Sequence, residues 1–272
     1  MNAVGALTGR ALARGLAGLI ALLGGIALFE AIQPVVIESF GGAEVMAALI
    51  QRLPPALQAF ARSRPEFAAV NGLPGLLSVG FTHPLYLVLA ISAVVGFTAR
   101  TLAGEMESGA IQIPLSRPVS RPAVYLSRVL GMTLIAGAVA AVGPLGTIAG
   151  LQYLGILDHI DQANFIALFV GSLALLWAIG GLALLGSAAV STTGRIVGWA
   201  LALLTVMYFV DYFAAIWSVA KTLRPLSLFA YYDPTDALAH GTVAPRNPIV
   251  LVAVGVAGTI AGLVVFVRRD LP

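Results

Sequence analysis

The sequence predicts an all-α polytopic membrane protein, and two observations carry that prediction. Hydrophobic residues make up 59% of the 272 residues and charged residues only 10%, with a mean hydropathy of +0.97. A soluble domain carries about 25% charged residues, so lipid must surround most of this surface. Six apolar runs are each long enough to cross a bilayer, which takes about 20 residues of helix. We expect helices because open strands would leave backbone groups unpaired in lipid.

The six runs account for one transmembrane domain that covers residues 1–272. They span 16–37, 85–103, 129–151, 165–190, 196–217 and 249–267. The first run is too long for the apolar core of a signal peptide and lacks a convincing cleavage site, so we expect it to stay as a span. Pro144 in the third run and Gly180-Gly181 in the fourth are tolerated inside the helices of membrane bundles.

Two segments outside the spans have amphipathic patterns. Residues 4–13 fit either a helix in the inner membrane interface or the start of the first span. Residues 39–84 carry apolar side chains at helical spacing, which is interrupted at Pro54-Pro55 and resumes with Leu57 and Phe60. We therefore expect two short amphipathic helices on the outer side.

The basic residues predict the orientation of the chain. Nine arginines fall on the side that holds both termini and the loop after the second run: Arg10, Arg14, Arg100, Arg117, Arg121, Arg128, Arg195, Arg268 and Arg269. The six basic residues on the other side lie in two long loops, which bias orientation weakly. We expect both termini in the cytoplasm and a multi-pass location in the cell (plasma) membrane.

Several classes of function lack the residues that they need. No cysteine is present, and the three histidines are too far apart in sequence for a zinc-protease helix. Lys221 is the sole lysine and follows no glycine-rich turn, so the chain has no P-loop for ATP. The basic residues form no dense block of the kind that nucleic acid requires. We expect no catalytic site, no bound metal or cofactor, and no nucleic-acid partner.

Two acidic residues fall inside predicted spans, Glu30 in the first and Asp211 in the fifth. Ionisable groups at membrane depth are costly and usually functional. Both lie toward the outer third of their spans, which favours carboxylates that reach the outer headgroups or accept hydrogen bonds. A proton or cation relay is the alternative.

The most distinctive sequence is the coupling loop, which we define as residues 104–128 between the second and third spans. From Gly104 it reads Gly-Glu-Met-Glu-Ser-Gly-Ala-Ile-Gln-Ile-Pro-Leu-Ser-Arg-Pro-Val-Ser-Arg-Pro. A short polar helix here would offer acids, arginines and an apolar strip to a soluble partner. The alternative is that three arginines anchor the loop to anionic headgroups, with Glu105 pairing one of them. Those arginines are Arg117, Arg121 and Arg128.

The coupling loop resembles the signature of type-2 ABC exporter permeases. In that family a glutamate-bearing helix, a Glu-x-x-x-Gly-Thr-like turn, an apolar strip and an Arg-Pro-Val-Ser-Arg element lead into the third span. Glu105, Gly109, residues 111–115 and residues 117–121 match that order. The chain departs from the pattern at Ala110, Pro114, Pro122 and Arg128. The six-span layout also matches, so the resemblance covers nearly the whole chain, although about 25 residues carry it specifically.

The resemblance implies a permease subunit served by two copies of a separate cytoplasmic ABC ATPase, which binds ATP and Mg²⁺. The implied coupling residues are Glu105, Glu107, Gly109, Arg117, Pro118 and Arg121. The family works as a pair of permeases, here a second copy or a homologous chain, with the second and fifth spans lining the path between them. The candidate substrate contacts are then Tyr86, Phe209, Phe213 and Trp217. An aromatic belt at the membrane interface is the alternative for these side chains.

Two other functions fit the sequence. An ion-coupled secondary transporter would use Glu30 and Asp211 as its relay and would work without an ATPase. A non-transporting membrane anchor would use the same helices to recruit partners. Three Gly-x-x-x-Gly spacings, starting at Gly5, Gly146 and Gly258, are typical of close helix packing. With 30 glycines in the chain, we attribute them to chance.

Overall fold

The computed structural model describes residues 3–55, 65–116, 118–214 and 216–269. Within these ranges the chain is helical and has no strand. In chain order the helices are α1 (Ala3–Ala13), α2 (Leu16–Ser39), α3 (Gly42–Gln51), α4 (Pro65–Thr82), α5 (Pro84–Glu107), α6 (Gln112–Leu115), α7 (Arg121–Leu154), α8 (Asn164–Ala189), α9 (Thr193–Phe213), α10 (Ser218–Leu223), α11 (Pro234–His240) and α12 (Arg246–Arg268).

Six of these helices are long and apolar enough to cross a membrane, namely α2, α5, α7, α8, α9 and α12. This confirms the predicted all-α architecture with six spans. Hydrogen bonds join the starts of α2, α7 and α9 to the ends of α5, α8 and α12 at one end of the bundle. We call it the loop end because the coupling loop lies there, and we call the opposite end the outer end. α1 is a separate helix, divided from α2 at Arg14-Gly15.

Small residues bring two pairs of spans into backbone contact. A Cβ atom on Gly258 of α12 would lie 2.8 Å from the carbonyl carbon of Gly181 in α8. On α7, Gly146 and Gly150 lie against the backbone of α2 in the same way, the first of them at Ala27. Lipid provides no hydrophobic force between helices, so close packing of this kind is a main source of their association. α8 with α12 and α2 with α7 therefore form the closely packed part of the bundle.

α9 is the least buried of the six spans. Only 11% of its most apolar stretch is buried, compared with 61% for α5 and for α8. Its side chains instead face outward, with Trp199 73% exposed and Leu201 63% exposed. The fifth span is therefore the one with the fewest contacts to hold it in place.

Between the first two spans, α3 ends before Pro54, where the sequence predicts a break, whereas Leu57 and Phe60 lie outside the described residues. α4 is kinked at Gly72, whose φ of 52° and ψ of −133° are not helical. After the kink the helix turns into the bundle and buries Leu77 and Phe81 completely. The sequence did not predict this inward packing.

α5 contains a π turn over Ala99–Ala103, just before the coupling loop. In such a turn each carbonyl accepts from the fifth residue along rather than the fourth, so the turn holds one more residue than an α turn. The Thr101 hydroxyl donates to the Phe97 carbonyl oxygen at 2.8 Å inside this region. The helix then resumes as Gly104–Glu107, which carries the two acids of the loop.

Candidate functional site

Glu105 joins three separate segments of the chain at the loop end. Its carboxylate accepts a hydrogen bond from Nη1 of Arg14 at 2.8 Å and one from Nη2 of Arg128 at 2.7 Å. Arg14 lies at the junction of α1 and α2, and Arg128 lies in the first turns of α7. Charge-assisted bonds of this length are about twice as strong as neutral ones. Glu105, only 6% exposed, is therefore a buried link between helices rather than a surface group.

Glu107 reaches the start of the fifth span. One of its carboxylate oxygens, Oε2, accepts a hydrogen bond from the backbone N–H of Thr193 at 2.9 Å. The first N–H groups of a helix have no acceptor within the helix, and a carboxylate there also interacts favourably with the helix dipole. Glu107 thus caps α9 from another part of the chain, and it connects the coupling loop to the most loosely packed span.

A tight turn follows the two acids. Gly109 has φ of +72°, in the left-handed region that glycine enters without strain. The chain then folds back, so that the backbone N–H of Ile111 donates to the Glu105 carbonyl at 2.9 Å and the Ile111 side chain is fully buried. The short helix α6 projects next, with Ile113 47% exposed. Pro118 is exposed as well, and Arg117 lies outside the described residues.

The Ser-Arg-Pro element begins the third span. The Ser120 side chain accepts a hydrogen bond from the backbone N–H of Ala123 and caps α7, with Pro122 in the first turn. Both are favoured residues at a helix start. The Arg121 guanidinium reaches across the loop end and donates to the carbonyl oxygens of Val267 at 3.1 Å and Arg269 at 2.7 Å.

The last arginine continues this chain of contacts. Nη1 of Arg269 donates to the carbonyl oxygen of Ala188, at the end of α8, at 3.0 Å. Arg121 and Arg269 thus satisfy carbonyls at two helix ends, where positive charge is favourable. The coupling loop continues from α5 and runs into α7. Together with Glu105 and Glu107, the two arginines connect it to the ends of the other four spans.

These contacts bear on both interpretations of the coupling loop, as a surface for a soluble partner and as an anchor to headgroups. The pairing of Glu105 with an arginine of the loop is observed, and that arginine is Arg128. Arg121 binds helix ends rather than facing headgroups. Arg14 and Arg269 are partners that the sequence did not predict, although both lie among the nine arginines on the side of the loop.

A cavity of about 710 Å³ lies between the outer halves of α4, α5 and α9. Its lining is mostly apolar and includes Leu87 and Ile91 of α5 and Leu204 and Phe209 of α9. Ligand sites in proteins commonly have volumes of about 300–1,000 Å³. The cavity is therefore large enough for a small molecule, and it lies between the second and fifth spans.

The structure separates the four aromatic residues that the sequence grouped as substrate contacts. Phe209 lines the cavity, whereas Tyr86, Phe213 and Trp217 are not among the described residues that line it. Tyr86 faces the interior and is 2% exposed, with its ring 5.3 Å from that of Phe81. Phe213 and Trp217 are 37% and 56% exposed near the outer end. Tyr208 and Tyr212, on the same helix as Phe209, also line the cavity.

The two intramembrane acids also have different surroundings. Asp211 accepts a hydrogen bond from Nε of Arg224 at 2.9 Å, and that arginine side chain is 46% exposed. Glu30 is 0% exposed, so it does not reach the outer headgroups. It does accept a hydrogen bond, from the Thr147 hydroxyl at 3.4 Å. Both carboxyl groups thus accept a hydrogen bond, one from a hydroxyl and the other from a guanidinium.

A family model described as ABC-2 family transporter protein matches residues 33–271, so α1, most of α2 and the last residue lie outside the match. No curated protein matches the chain at the significance required of a relative.

Proposed function

The chain belongs to the ABC-2 family of transporter proteins, and we propose that it is the permease subunit of an exporter driven by a separate cytoplasmic ATPase. It is a multi-pass membrane protein, and subunits of this family normally pair with an ATP-binding subunit. In this proposal ATP and Mg²⁺ bind to two copies of the ATPase, and the complex works in the plasma membrane. The single observation that supports it best is the set of contacts that the coupling loop makes with the spans.

The exposed part of the coupling loop provides the proposed docking surface. α6 presents Ile113 outward, and Pro118 follows it, whereas Glu105 and Ile111 are buried beneath. An exposed apolar side chain is a candidate anchor for the centre of a protein interface. We therefore assign docking to α6 and its flanks, and we assign Glu105 and Arg121 to holding the loop on the bundle.

Movement of the docked loop would reach α9 first. Glu107 holds the backbone of Thr193 directly, and α9 has few other contacts that resist a shift. The outer half of α9 forms one wall of the cavity. ATP-driven closure of the ATPase pair would thus change the shape of the cavity, which we propose as the substrate path. Unequal binding of a ligand to two conformations of the helices is sufficient to shift them from one conformation to the other.

The docking proposal is tested by replacing Ile113 with serine. We expect about a tenfold weaker association with the ATPase, because loss of a central apolar anchor costs about 1–2 kcal/mol. The measurement is the amount of Walker-motif protein that co-purifies with the tagged chain, together with the ATP hydrolysis of the purified complex. The control is Ile166→Ser, at an isoleucine of α8 that is 66% exposed and lies at the outer end, away from the coupling loop.

Equal recovery of the ATPase with both variants would contradict docking at α6. A separate experiment tests the exporter function itself, by reconstituting the chain in vesicles with and without the ATPase. Transport should require both the ATPase and ATP. Transport by the chain alone under an ion gradient would replace this proposal with the ion-coupled transporter.

A further inference from the structure

A second polar site lies inside the bundle near the outer end, away from the coupling loop. Glu30 of α2 is completely buried, and one carboxyl oxygen, Oε2, accepts a hydrogen bond from the Thr147 hydroxyl at 3.4 Å. That hydroxyl has a single proton and also lies 3.4 Å from the carbonyl oxygen of Gly143. The other carboxyl oxygen, Oε1, has no hydrogen-bond partner. A buried carboxylate would normally have several donors or a cation, and this one has neither.

The described surroundings of Glu30 supply no positive charge, and no residue within them forms an ion pair with it. The titratable groups that face it are the phenols of Tyr86, from α5, and Tyr232, from the segment before α11. α7 and α4 present Thr147 and Gly80, which do not titrate.

The other nearby groups are neutral or acidic. Asp233 follows Tyr232 and adds negative charge on that side. α3, which also packs against α2, has Glu44 as its one charged residue. The His83 ring lies 5.3 Å from that of Phe29, and burial lowers the pKa of its imidazole, which is then neutral at neutral pH. An ionised Glu30 would thus be an uncompensated buried charge.

Tyr86 completes the site. Its hydroxyl is buried and interacts with the hydroxyls of Ser172 and Tyr232, whereas Oε1 of Glu30 has no hydrogen-bond partner. Tyr86 and Glu30 interact electrostatically. A phenol can donate to a carboxylate or accept from a carboxylic acid, and only the carboxylic acid removes the buried negative charge.

We propose that Glu30 is a proton-binding site, protonated in this conformation, and that the second half of α4 is the lid that must move before the proton exchanges with solvent. The site lies where α2, α4, α5 and α7 meet. The ligand is a proton, because Glu30 belongs to no cluster of acidic, histidine or cysteine side chains among the described residues that could hold a metal cation. The inference does not depend on the ATPase partner.

The contact between α4 and the carboxyl group supports the assignment of the lid. A Cβ atom on Gly80 would lie 2.7 Å from Oε2 and 3.1 Å from Oε1, so the helix backbone rests directly on the carboxyl group. The kink at Gly72, with Pro74 two residues later, gives this half of the helix a hinge. Ser78 ties it to Thr235 of α11 through a hydrogen bond of 2.7 Å.

The position of the lid and the protonation of Glu30 are therefore coupled. Ionised Glu30 needs water, and water reaches it only when α4 lifts, so loss of the proton favours the open lid. By reciprocity, a seated lid holds the proton more tightly. In a transport cycle that moves the outer end, Glu30 would bind and release a proton on that side.

Infrared spectroscopy of the purified full-length chain in lipid nanodiscs tests the protonation. At neutral pH we expect the carbonyl band of a protonated carboxylic acid, which is distinct from the bands of carboxylates and amides. The band should be lost in Glu30→Gln and kept in Asp211→Asn, which removes the acid that is paired with Arg224. In Glu30→Asp the band should persist at a shifted frequency, and this variant checks the assignment without removing the acid.

The lid is tested by adding one methyl group. Gly80→Ala should shift the frequency of the Glu30 band, because the new methyl group displaces the carboxyl group or the helix. Gly24→Ala, on α2 itself, has open space around its Cβ and should leave the band unchanged. Absence of the band from the unmodified chain at neutral pH would overturn the proton site. An unshifted band in Gly80→Ala would overturn the lid.

Discussion

Glu105 has two positive partners that differ in exposure, and this difference decides what each one contributes. The Arg128 side chain is 3% exposed and that of Arg14 is 46% exposed. A half-exposed ion pair contributes about 0–1 kcal/mol, because water screens it. A buried arginine that loses its partner costs much more, since its charge remains inside the protein. The main role of Glu105 is therefore to neutralise Arg128 within the bundle.

This role predicts the effect of removing the charge of Glu105. Glu105→Gln should lower the free energy of unfolding by about 3–5 kcal/mol, the usual cost of breaking a buried ion pair. Asp211→Asn is the matched control, because it breaks a pair whose arginine is 46% exposed and should cost about 1 kcal/mol or less. Thermal unfolding of the purified chain in detergent measures both. Equal shifts of Tm in the two variants would show that Arg128 does not depend on Glu105.

At the scale of the helix, α9 differs from its neighbours because its own contacts hold it weakly. Its start relies on the cap that Glu107 provides, whereas α8 and α12 are joined along their length by glycine contacts. Elements with little burial sit at the low end of local stability within a protein. α9 is thus the span that moves most easily relative to the rest.

The cap predicts a local change in α9 when Glu107 is replaced. Glu107→Ala leaves the N–H of Thr193 without its acceptor, so hydrogen exchange should become faster in the first turn of α9 and stay unchanged in α8. Exchange measured by mass spectrometry on the intact chain checks this expectation. Ser116→Ala, at an exposed position of the same loop, should have no such effect. Unchanged exchange in Glu107→Ala would mean that the cap does not hold the helix.

At the scale of the whole molecule, we expect the outward face of α9 to contact a second permease. Trp199, Leu203 and Val206 lie on one side of the helix, spaced by four and three residues, and are 73%, 46% and 60% exposed. A pair related by a two-fold axis would place the same residues of both copies near each other. It would also set the two cavities beside the shared face.

Single cysteines test the pair, since the chain has no cysteine of its own. Trp199→Cys, Leu203→Cys or Val206→Cys should give disulfide-linked dimers under mild oxidation in membranes, at whichever position brings the two Cα atoms within about 7 Å. Ile166→Cys, on α8 and 66% exposed, is the control and should stay monomeric. Monomers at all three positions of α9 would contradict pairing through this face.

The sequence predicted the spans well because lipid imposes length and apolarity on every crossing helix. It predicted contacts poorly, because partners such as Arg14 and Glu105 are 91 residues apart and only the fold brings them together. The glycine spacings show the same limit. Attributing them to chance was wrong at Gly146 and Gly258, which lie on a neighbouring backbone, whereas Gly5 has nothing within 4 Å of its Cβ position.

The kinked lid was missed for a related reason. Leu77 and Phe81 have the hydrophobicity of a surface amphipathic helix as well as of a core helix, so composition does not separate the two. Gly72 gave a local signal for a break. Only the packed structure shows that the chain after it turns into the bundle.

The π turn at Ala99–Ala103 sets the direction in which the residues after it point, because it contains one more residue than an α turn. An α-helix rotates by about 100° per residue, so deleting one residue there would restore an ordinary turn and rotate everything beyond it by that angle. Glu105 would then point away from Arg14 and Arg128, and Glu107 away from Thr193. A single codon lost from this stretch would disconnect the loop from the spans while changing none of the residues that make the contacts.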